Sequence, residues 1–539
     1  MNRREFIRMA AWAGTSALIP SALAGSSAGS LTISSPFRLK RFEWEESTIS
    51  ELQAAMNSGR ETAASLVGKY LRRIEDIDRR GPAVNSVIEL NPDAGAIART
   101  LDKERKARGP RGPLHGIPVL IKDNIDTHDR MMTTAGSLAL LGSIPSRDSF
   151  VAEKLREAGA VILGKTNLSE WANFRSNRST SGWSGRGGLT KNPYALDRNP
   201  SGSSSGSAAA VSANLCSAAI GTETDGSIIS PSTLCGIVGL KPTVGLISRA
   251  GIIPIAHSQD TAGPMTRTVT DAAILLGALT GVDPRDPATD PSRGRAHRDY
   301  TPFLDPNGLR GARIGVARRF FSARVGTEKI LEAAIEEMKR RGAVIVDPAD
   351  LPSQGKFGDS EFEVLLYEFK AGLNAYLAGL GPKAPVRSLK EIIEFNEQNQ
   401  EKEMPYFGQE TFLRAQEKGP LTEKAYLDAL EKCRRLSRDE GIDAVMNEHK
   451  LDALIAPSGG PAGKTDLIYG NRSVGGSSSP AAVAGYPSIT VPVGQVFGLP
   501  FGLSFFGRAY SEPTLLRLAF GFEQATKARK PPKFLPTVG

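Results

Sequence analysis

The feature that most constrains the fold is a recurring order of helix, glycine and short apolar strand. It occurs in residues 149–163 and again in residues 312–346. In both stretches a glycine follows the helical pattern, as is typical of a helix C-terminus, and a β-branched apolar run comes next. The second stretch also has a strand before its helix, in the order 312–316, a helix capped by Thr327 and ended by Gly342, and 343–346. A strand, a helix and a strand joined by short turns predict parallel pairing and an α/β fold.

The rest of the chain is predicted to extend this sheet and to cover it. A capping box at residues 58–61 predicts an amphipathic helix with the apolar residues Leu66, Tyr70, Ile74 and Ile77. Residues 355–450 are charged and helix-rich, which predicts a helical cover, whereas 453–456 and 488–491 are strand candidates. No clear linker interrupts residues 46–539, so one large domain is favoured over two.

Composition narrows the class of protein. The chain has 539 residues, of which 40% are hydrophobic, so a sizeable core is expected and wholesale disorder is excluded. Its three cysteines can form at most one bridge, which excludes a disulfide framework. Neither a Cys-x-x-Cys pair nor a His-Glu-x-x-His motif occurs, so no metal site of these types is expected. No apolar run reaches the roughly 18 residues that a membrane-spanning helix needs, so no membrane anchor is expected.

The first 24 residues have the pattern of an export signal. Arg3 and Arg4 are followed by an apolar pair and a further cation, which is typical of twin-arginine export. A weakly apolar stretch and an Ala-x-Ala site at residues 22–24 complete the pattern of a signal peptide. We expect the twin-arginine machinery to export the folded protein, which would be periplasmic or secreted. Residues 25–45 are expected to form an N-terminal arm.

The small excess of basic over acidic residues does not predict a nucleic-acid partner. The formal net charge is +9, and the densest basic stretch, residues 103–111, has no interleaved aromatic residue. Such a stretch is typical of a solvated loop. Export would also separate the protein from most nucleic acid.

Two short motifs match known expressions but lack the structural context that each requires. Residues 159–166 satisfy the nucleotide-binding pattern Gly-x4-Gly-Lys-Thr, yet the residues between its glycines are themselves the predicted strand. Residues 202–206 satisfy the nucleophile-elbow pattern Gly-x-Ser-x-Gly, but the turn-forming residues 192–200 predict no preceding strand. A Ser-His-Asp hydrolase would also need a histidine, and none of the histidines that follow lies in a motif.

The stretch that is most informative about chemistry contains two turns rich in serine and glycine. They are residues 201–207 and 221–227, and the Ala-rich segment between them, residues 208–219, is expected to be helical. A helix begun by the first turn would direct free backbone N–H groups and its positive end at that turn. Glycines would let the backbone approach a substrate closely. A flexible linker fits poorly, because apolar packing segments bracket both turns.

These turns resemble the signature of the amidase signature family, and the resemblance runs from residue 49 to residue 524. It includes four further segments, at residues 112–124, 236–243, 258–271 and 484–494. Within the family, three features look most like bacterial peptide amidases, which remove the C-terminal amide of peptides. These features are residues 167–174, residues 182–188 and the Thr-Asp-Gly form of the second turn.

The resemblance implies a fold and a set of site residues. The fold would be a single α/β domain with a mixed central β-sheet covered by helices on both faces. Ser227 matches the nucleophile, Lys122 the base, and Ser203 the bridging serine that the family holds before a cis peptide bond. The backbone N–H groups that match the oxyanion hole are those of Thr224, Asp225, Gly226 and Ser227. Neither a cofactor nor a metal is implied.

The implied chemistry is coherent on physical grounds. A serine hydroxyl needs a base, and a lysine is a base only where burial and hydrogen bonding lower its pKa by several units. Lys122 follows the apolar run of residues 117–121, a predicted buried strand, where desolvation would act. The alternative is an ordinary surface lysine paired with Asp123. His115 lies near this segment and has no assigned role.

Two assignments stay open at this point. Ser201 and Ser205 replace two glycines of the commoner family form; Ser203 and Ser204 stay aligned with it, but which of the two bridges is open. Asp225 could contact the substrate or could orient the tight turn.

The predicted function is amide hydrolysis by a serine amidase, with the C-terminal amide of a peptide as the expected substrate. Small aliphatic or aryl amides are the alternative for the same triad. An amidotransferase component that transamidates tRNA-bound Glu or Asp would share the fold, but the export signal argues against it. A non-catalytic exported binding protein is the alternative from another class, and the intact Lys122, Ser203 and Ser227 argue against it. The protein is expected to be a monomer.

Overall fold

A mixed sheet of eleven strands runs through the computed structural model, which describes residues 37, 39–321, 326–382, 384–471 and 474–538. The predicted signal peptide, residues 1–24, lies outside the described residues, as do residues 25–36 and 38 of the predicted arm. The strands, in the order in which they lie side by side, are β1 (Val87–Leu90), β3 (Val161–Thr166), β2 (Pro118–Lys122), β6 (Ala218–Glu223), β8 (Thr261–Thr266), β7 (Val238–Lys241), β12 (Ser488–Val496), β13 (Leu499–Phe506), β11 (Ala453–Pro457), β9 (Arg313–Val316) and β10 (Val344–Val346). A separate two-stranded ribbon consists of β4 (Trp183–Ser184) and β5 (Gly188–Leu189).

Helices occupy most of the chain between these strands. They are α1 (Ile49–Asn57), α2 (Ala63–Ile74), α3 (Ala94–Arg108), α4 (Phe150–Glu157), α5 (Ser205–Ser212), α6 (Ile229–Leu234), α7 (Val269–Leu279), α8 (Thr327–Arg340), α9 (Gly358–Gly379), α10 (Leu389–Gln398), α11 (Gln400–Glu403), α12 (Glu410–Gln416), α13 (Lys424–Ser437), α14 (Asp443–Glu448), α15 (Ser478–Ala484) and α16 (Glu512–Thr526). The described residues form one compact unit. The α/β class, the mixed sheet and the single domain are therefore as predicted.

The strand β2 lies at a parallel region of the sheet. It pairs in parallel with β3 on one side and with β6 on the other. All five of its residues are buried, and successive residues of a strand face opposite sides of the sheet. Both faces of the sheet are therefore covered at β2, which explains its continuous apolar run.

The recurring order of helix, glycine and strand is confirmed. The Ser149 hydroxyl accepts a hydrogen bond from Ala152 N at 3.1 Å and begins α4, and Gly159 ends it with a φ of +78°. In the second copy β9 and β10 are parallel neighbours. Thr327, however, is the first residue of α8 rather than its cap, because the preceding Gly326 already holds the N-cap position.

Two other local predictions are wrong in their boundaries. The capping box is formed by Thr62 and Ser65 rather than by residues 58–61, because Ser58 already closes α1. The Ala-rich segment is helical only as far as Ser212, and from Ala218 it is part of the buried strand β6. Alanine is compatible with both states, so tertiary packing decides between them.

The predicted helical cover is present. Residues 355–450 contain α9 to α14, and they share an apolar cluster with residues of the segments 135–140, 171–174 and 253–256. Phe369 and Phe412 of this cluster stack at 5.2 Å, and Trp171 meets Phe412 edge-on at 6.0 Å. The cover therefore packs directly on the segment that follows β3. Among the described helices, none combines the length and the apolarity that crossing a bilayer requires.

Candidate active site

The two turns rich in serine and glycine lie against each other beyond the ends of β2 and β6. Ser204 N donates to Ser227 O at 3.2 Å, and the hydroxyls of Ser201 and Ser230 are 2.8 Å apart. Helix α5 begins within the first turn, at Ser205, and α6 begins at Ile229, just after the second. The carboxyl ends of strands in α/β sheets are the usual place for ligand sites. The sequence therefore brings its most chemically distinctive segments to one such place.

Lys122 is the last residue of β2 and is fully buried. Its Nζ donates to Ser203 Oγ at 2.7 Å, to Thr222 Oγ1 at 2.8 Å and to Thr222 O at 3.3 Å. Burial disfavours the charged form and lowers the pKa of Lys122 to about 7, although two nearby carboxylates, those of Asp260 and Glu223, oppose this effect. A substantial fraction of this lysine is therefore neutral near pH 7.

The interpretation of Lys122 as a surface lysine paired with Asp123 is wrong. Asp123 is buried as well, and its carboxylate accepts hydrogen bonds from the Thr134 hydroxyl and from Gly136 N. The cation nearest to it is Arg186, at 3.4 Å. The two neighbours in sequence thus belong to different hydrogen-bond networks.

Ser203 is the serine that faces the lysine. A cis peptide bond joins Gly202 to Ser203, so it precedes this serine, whereas the family resemblance predicts one after it. A Cβ atom at Gly202 would lie 2.1 Å from Ser169 Oγ, so only glycine fits there. The Ser204 hydroxyl instead donates to Thr222 O at 3.0 Å. Of the two aligned serines, Ser203 is therefore the one in contact with Lys122.

The second turn presents four free backbone donors. Ser227 is 7% exposed, and among the described residues the N–H groups of residues 224–227 donate no hydrogen bond. Gly226 has a φ of +77°, in the left-handed region that favours glycine. Such a cluster of unused N–H groups beside a serine can stabilise a negatively charged oxygen.

Two carboxylates next to this turn, the buried Glu223 and the half-buried Asp260, were not identified from the sequence. Glu223 accepts hydrogen bonds from the N–H groups of Ile228 and Ile229, at 2.6 and 2.9 Å. Asp260 accepts one from the Thr224 hydroxyl at 2.5 Å, and burial raises the pKa of Asp260 to about 6. Both lie inside segments that carry the family resemblance. The available signals were an acidic residue at the end of β6, Glu223, and one directly before β8, Asp260.

Asp225 lies next to Glu361 of the helical cover. Its carboxylate accepts a hydrogen bond from Ser479 Oγ at 2.5 Å. Glu361, in the first turn of α9, accepts one from Gln259 Nε2 at 3.0 Å. Burial and the negative charge of Asp225 raise the pKa of Glu361 well above its ordinary value. The cover therefore contributes a carboxyl group to the edge of the site.

A cavity of about 190 Å³ lies beside Lys122 and its partners. Its polar wall includes Asn124, Thr222, Thr224 and Asp260, and its apolar wall is formed by residues 252–255. Asn124 Nδ2 donates to Thr222 Oγ1 at 3.0 Å, and so joins this wall to the lysine.

Of the described histidines, His257 lines the cavity, but none hydrogen-bonds to the serines of the two turns or to Lys122. His115 precedes β2, whereas Lys122 is the last residue of that strand. The His115 ring hydrogen-bonds to Leu101 O and accepts a hydrogen bond from Arg111 N. No described histidine forms a hydrogen bond with Ser203, Ser204 or Ser227, so the Ser-His-Asp interpretation gains no support. Within the described part of the chain, no group of three His, Cys, Asp or Glu side chains could hold a metal ion.

A buried arginine connects the segment after β3 to the cover. Arg175 is ion-paired with Glu170 and lies 3.5 Å from Glu403 of α11. Its guanidinium also lies over the rings of Trp183 and Phe407, at 5.4 and 4.4 Å. Residues 167–174 and 182–188, which resemble peptide amidases, are thus joined by a buried charge cluster.

Replacement of Arg175 by methionine is expected to destabilise the protein by about 3–5 kcal/mol, because Glu170 and Glu403 would keep buried carboxyl groups without a cation. Urea unfolding would measure the loss of free energy. Arg130→Met is the control, since Arg130 forms an exposed ion pair with Asp93, and little change is expected. Equal stability of the two variants would contradict a structural role for the cluster.

Comparison with known proteins places the chain in a family. A family model described as Amidase matches residues 65–516. A solved structure of the native peptide amidase from Stenotrophomonas maltophilia is 52% identical, has a TM-score of 0.88, and covers 92% of this chain and 100% of that chain. A probable amidase from Arabidopsis thaliana is 45% identical over 94% of each chain.

A relative of lower sequence identity is named for a different activity. This relative, a glutamyl-tRNA(Gln) amidotransferase component from Thermoanaerobacter pseudethanolicus, is 33% identical over 90% of this chain and 98% of its own length. The fold is therefore shared by hydrolases and transferases. The family model and the closer relatives together show that this chain belongs to the amidase signature family and is an amidase that hydrolyses the C–N bond of carboxamides.

Proposed function

We propose that this protein converts the C-terminal amide of peptides to the free acid and ammonia, with Ser227, Ser203 and Lys122 as its triad. The observation that carries the proposal is the hydrogen bond of 2.7 Å between Lys122 Nζ and Ser203 Oγ in a fully buried setting. A lysine whose pKa is lowered to about 7 can act as a base near neutral pH.

The triad would act through a relay of protons. Neutral Lys122 takes the proton of Ser203, which takes the proton of Ser227, and the Ser227 oxygen attacks the carbonyl carbon of the amide. The N–H groups of residues 224–227 stabilise the oxyanion that forms. The C–N bond then breaks, the relay returns a proton to the departing nitrogen, and ammonia leaves. Water attacks the Ser227 ester with the same base and releases the acid.

Two observations support a peptide as the acyl part of the substrate. The solved peptide amidase covers nearly the whole described chain at 52% identity. In this chain the two segments that resemble peptide amidases, residues 167–174 and 182–188, are joined to the helical cover through Arg175. The cover also supplies Glu361 beside Asp225 of the second turn, so the elements that resemble peptide amidases and the cover both adjoin the proposed site.

The test is ammonia release from a dipeptide amide and from a plain aliphatic amide, with Ser227→Ala as the blank. Turnover of the dipeptide amide, with its free acid as the second product, is the expected result. Turnover of the aliphatic amide alone would reject the substrate class and keep the mechanism. No turnover of either amide by folded protein would reject the proposal and favour a binding or transferase function.

A further inference from the structure

The loop of residues 224–227 is held at both ends by carboxylates, the buried Glu223 and the half-buried Asp260. At its far end, Glu223 accepts hydrogen bonds from Ile228 N and Ile229 N. At its near end, Asp260 Oδ1 accepts one from Thr224 Oγ1 at 2.5 Å. The loop itself makes no use of its own N–H groups among the described residues. These two side chains therefore fix its ends, and within the loop Ser204 N donates to Ser227 O and Ser479 Oγ donates to the Asp225 carboxylate.

Asp260 is itself rigidly placed. Its second oxygen, Oδ2, accepts hydrogen bonds from Ile255 N and Ala256 N, both at 2.8 Å. Both residues lie on the apolar wall of the cavity beside the site or directly adjoin it. The carboxylate thus connects this wall to Thr224.

The negative charge of Asp260 has no direct ion pair among the described residues. Arg249 offsets this charge in part, but its guanidinium is bound to both oxygens of Asp286, at 2.6 and 2.7 Å. Burial raises the pKa of both Glu223 and Asp260, and the positive charge of Lys241 opposes this rise at Glu223 as that of Arg249 does at Asp260. A carboxylate charge in a setting of low dielectric constant acts over a longer range than one in water.

Few charged groups face Lys122. Asp260 and Glu223 are the two that raise its pKa, against the larger effect of burial. Lys165, on the neighbouring strand β3, directs its Nζ away to Ile125 O and Thr133 Oγ1. The field at the base is therefore set mainly by the two carboxylates that also hold the loop.

We infer that Asp260 is a positioning residue with two separable effects. Its hydrogen bond with Thr224 fixes the oxyanion loop. Its negative charge stabilises the protonated form of Lys122, and so raises the pH below which kcat falls, which is the acid limb of the pH profile. This inference rests on the proposed function of Lys122 as base. It assigns to one half-buried side chain both the geometry of the oxyanion site and the working pH of the enzyme.

Two variants separate the two effects. In Asp260→Asn the amide oxygen can still accept from Ile255 N and Ala256 N and the amide nitrogen can donate to Thr224 Oγ1, so the charge is lost and the contacts are kept. In Thr224→Val the hydroxyl is lost, and the charge of Asp260 is kept. The readout is kcat as a function of pH for a peptide amide, with urea unfolding as the check of the fold.

Opposite results are expected from the two variants. With Asp260→Asn the protonated lysine loses a stabilising charge, so the acid limb should move to lower pH, by about one unit. With Thr224→Val the limb should stay in place, and kcat at the plateau should fall about tenfold or more, because the oxyanion donors are less well placed. Asp260→Ala should show both changes.

An unmoved acid limb in folded Asp260→Asn would overturn the charge effect, and an unchanged plateau in Thr224→Val would overturn the loop effect. Failure of the proposed function would give a different experimental result. In that case the unmodified protein either fails to turn over the amide or shows no acid limb near pH 7.

Discussion

Ser227→Ala is expected to lower the rate of amide hydrolysis by at least about 10⁴-fold, with no loss of fold. The alanine cannot form the acyl-enzyme, and the residual rate would come from the oxyanion loop and from binding alone. The Ser227 side chain makes no hydrogen bond on which the described structure depends, so its removal should leave stability unchanged. Ammonia release at saturating peptide amide, together with urea unfolding, measures both quantities.

Ser204→Ala is the matched control for that experiment. Ser204 lies in the neighbouring turn, is fully buried and bonds through its hydroxyl to the backbone of Thr222. Its loss should reduce the rate far less than the loss of Ser227. A serine-directed phosphonate provides a second readout, because it should modify Ser227 in the unmodified protein and in Ser204→Ala alike. If Ser227→Ala kept most of its activity, another group would have to be the nucleophile.

Lys122→Met is expected to lower kcat by about 10²–10⁴-fold, since methionine fills a similar volume but accepts no proton. In the unmodified protein the rate should fall below about pH 7, because the lysine is protonated there and cannot act as a base. The loss should approach tenfold for each further unit of pH, and it should be reversible. Since the base is missing in Lys122→Met, this limb should be absent from its pH profile.

Lys165→Met is the matched control for the second experiment. Lys165 is a buried lysine on the adjacent strand, and its pKa is also lowered by burial. Its Nζ bonds to Ile125 O and Thr133 Oγ1 rather than to a serine. The variant should lose stability, and its acid limb should remain near pH 7. Loss of the limb in Lys165→Met but not in Lys122→Met would reject Lys122 as the base.

The fold was predictable wherever the pattern was local and strong. Ser149 and Gly159 mark the two ends of α4 in the sequence, and both do so in the structure. The apolar run of residues 117–121 predicted the buried strand that carries Lys122. The boundaries of α2 and α5 were less predictable, because serine, threonine and alanine fit several local states, and packing selects one of them.

The site was predictable only as a set of segments. Lys122, Ser203 and the turn that carries Ser227 were singled out by motif and resemblance, and the structure brings these three together. The sequence left Ser203 and Ser204 equivalent. Only the Ser203 hydroxyl contacts Lys122 at the end of β2. This contact depends on the pairing of β2 with β6, which lies about 100 residues later in the chain.

The sequence by itself thus determined the α/β class, the strand that ends at Lys122 and the two turns that supply serines and free N–H groups. Only the tertiary structure decided which serine meets the lysine, that Asp260 holds Thr224, and that Glu361 of the cover faces Asp225. The physical reason is that helices, turns and strand ends arise from neighbours in the chain. Burial, and with it the lowered pKa of Lys122, arises from residues that only folding brings together.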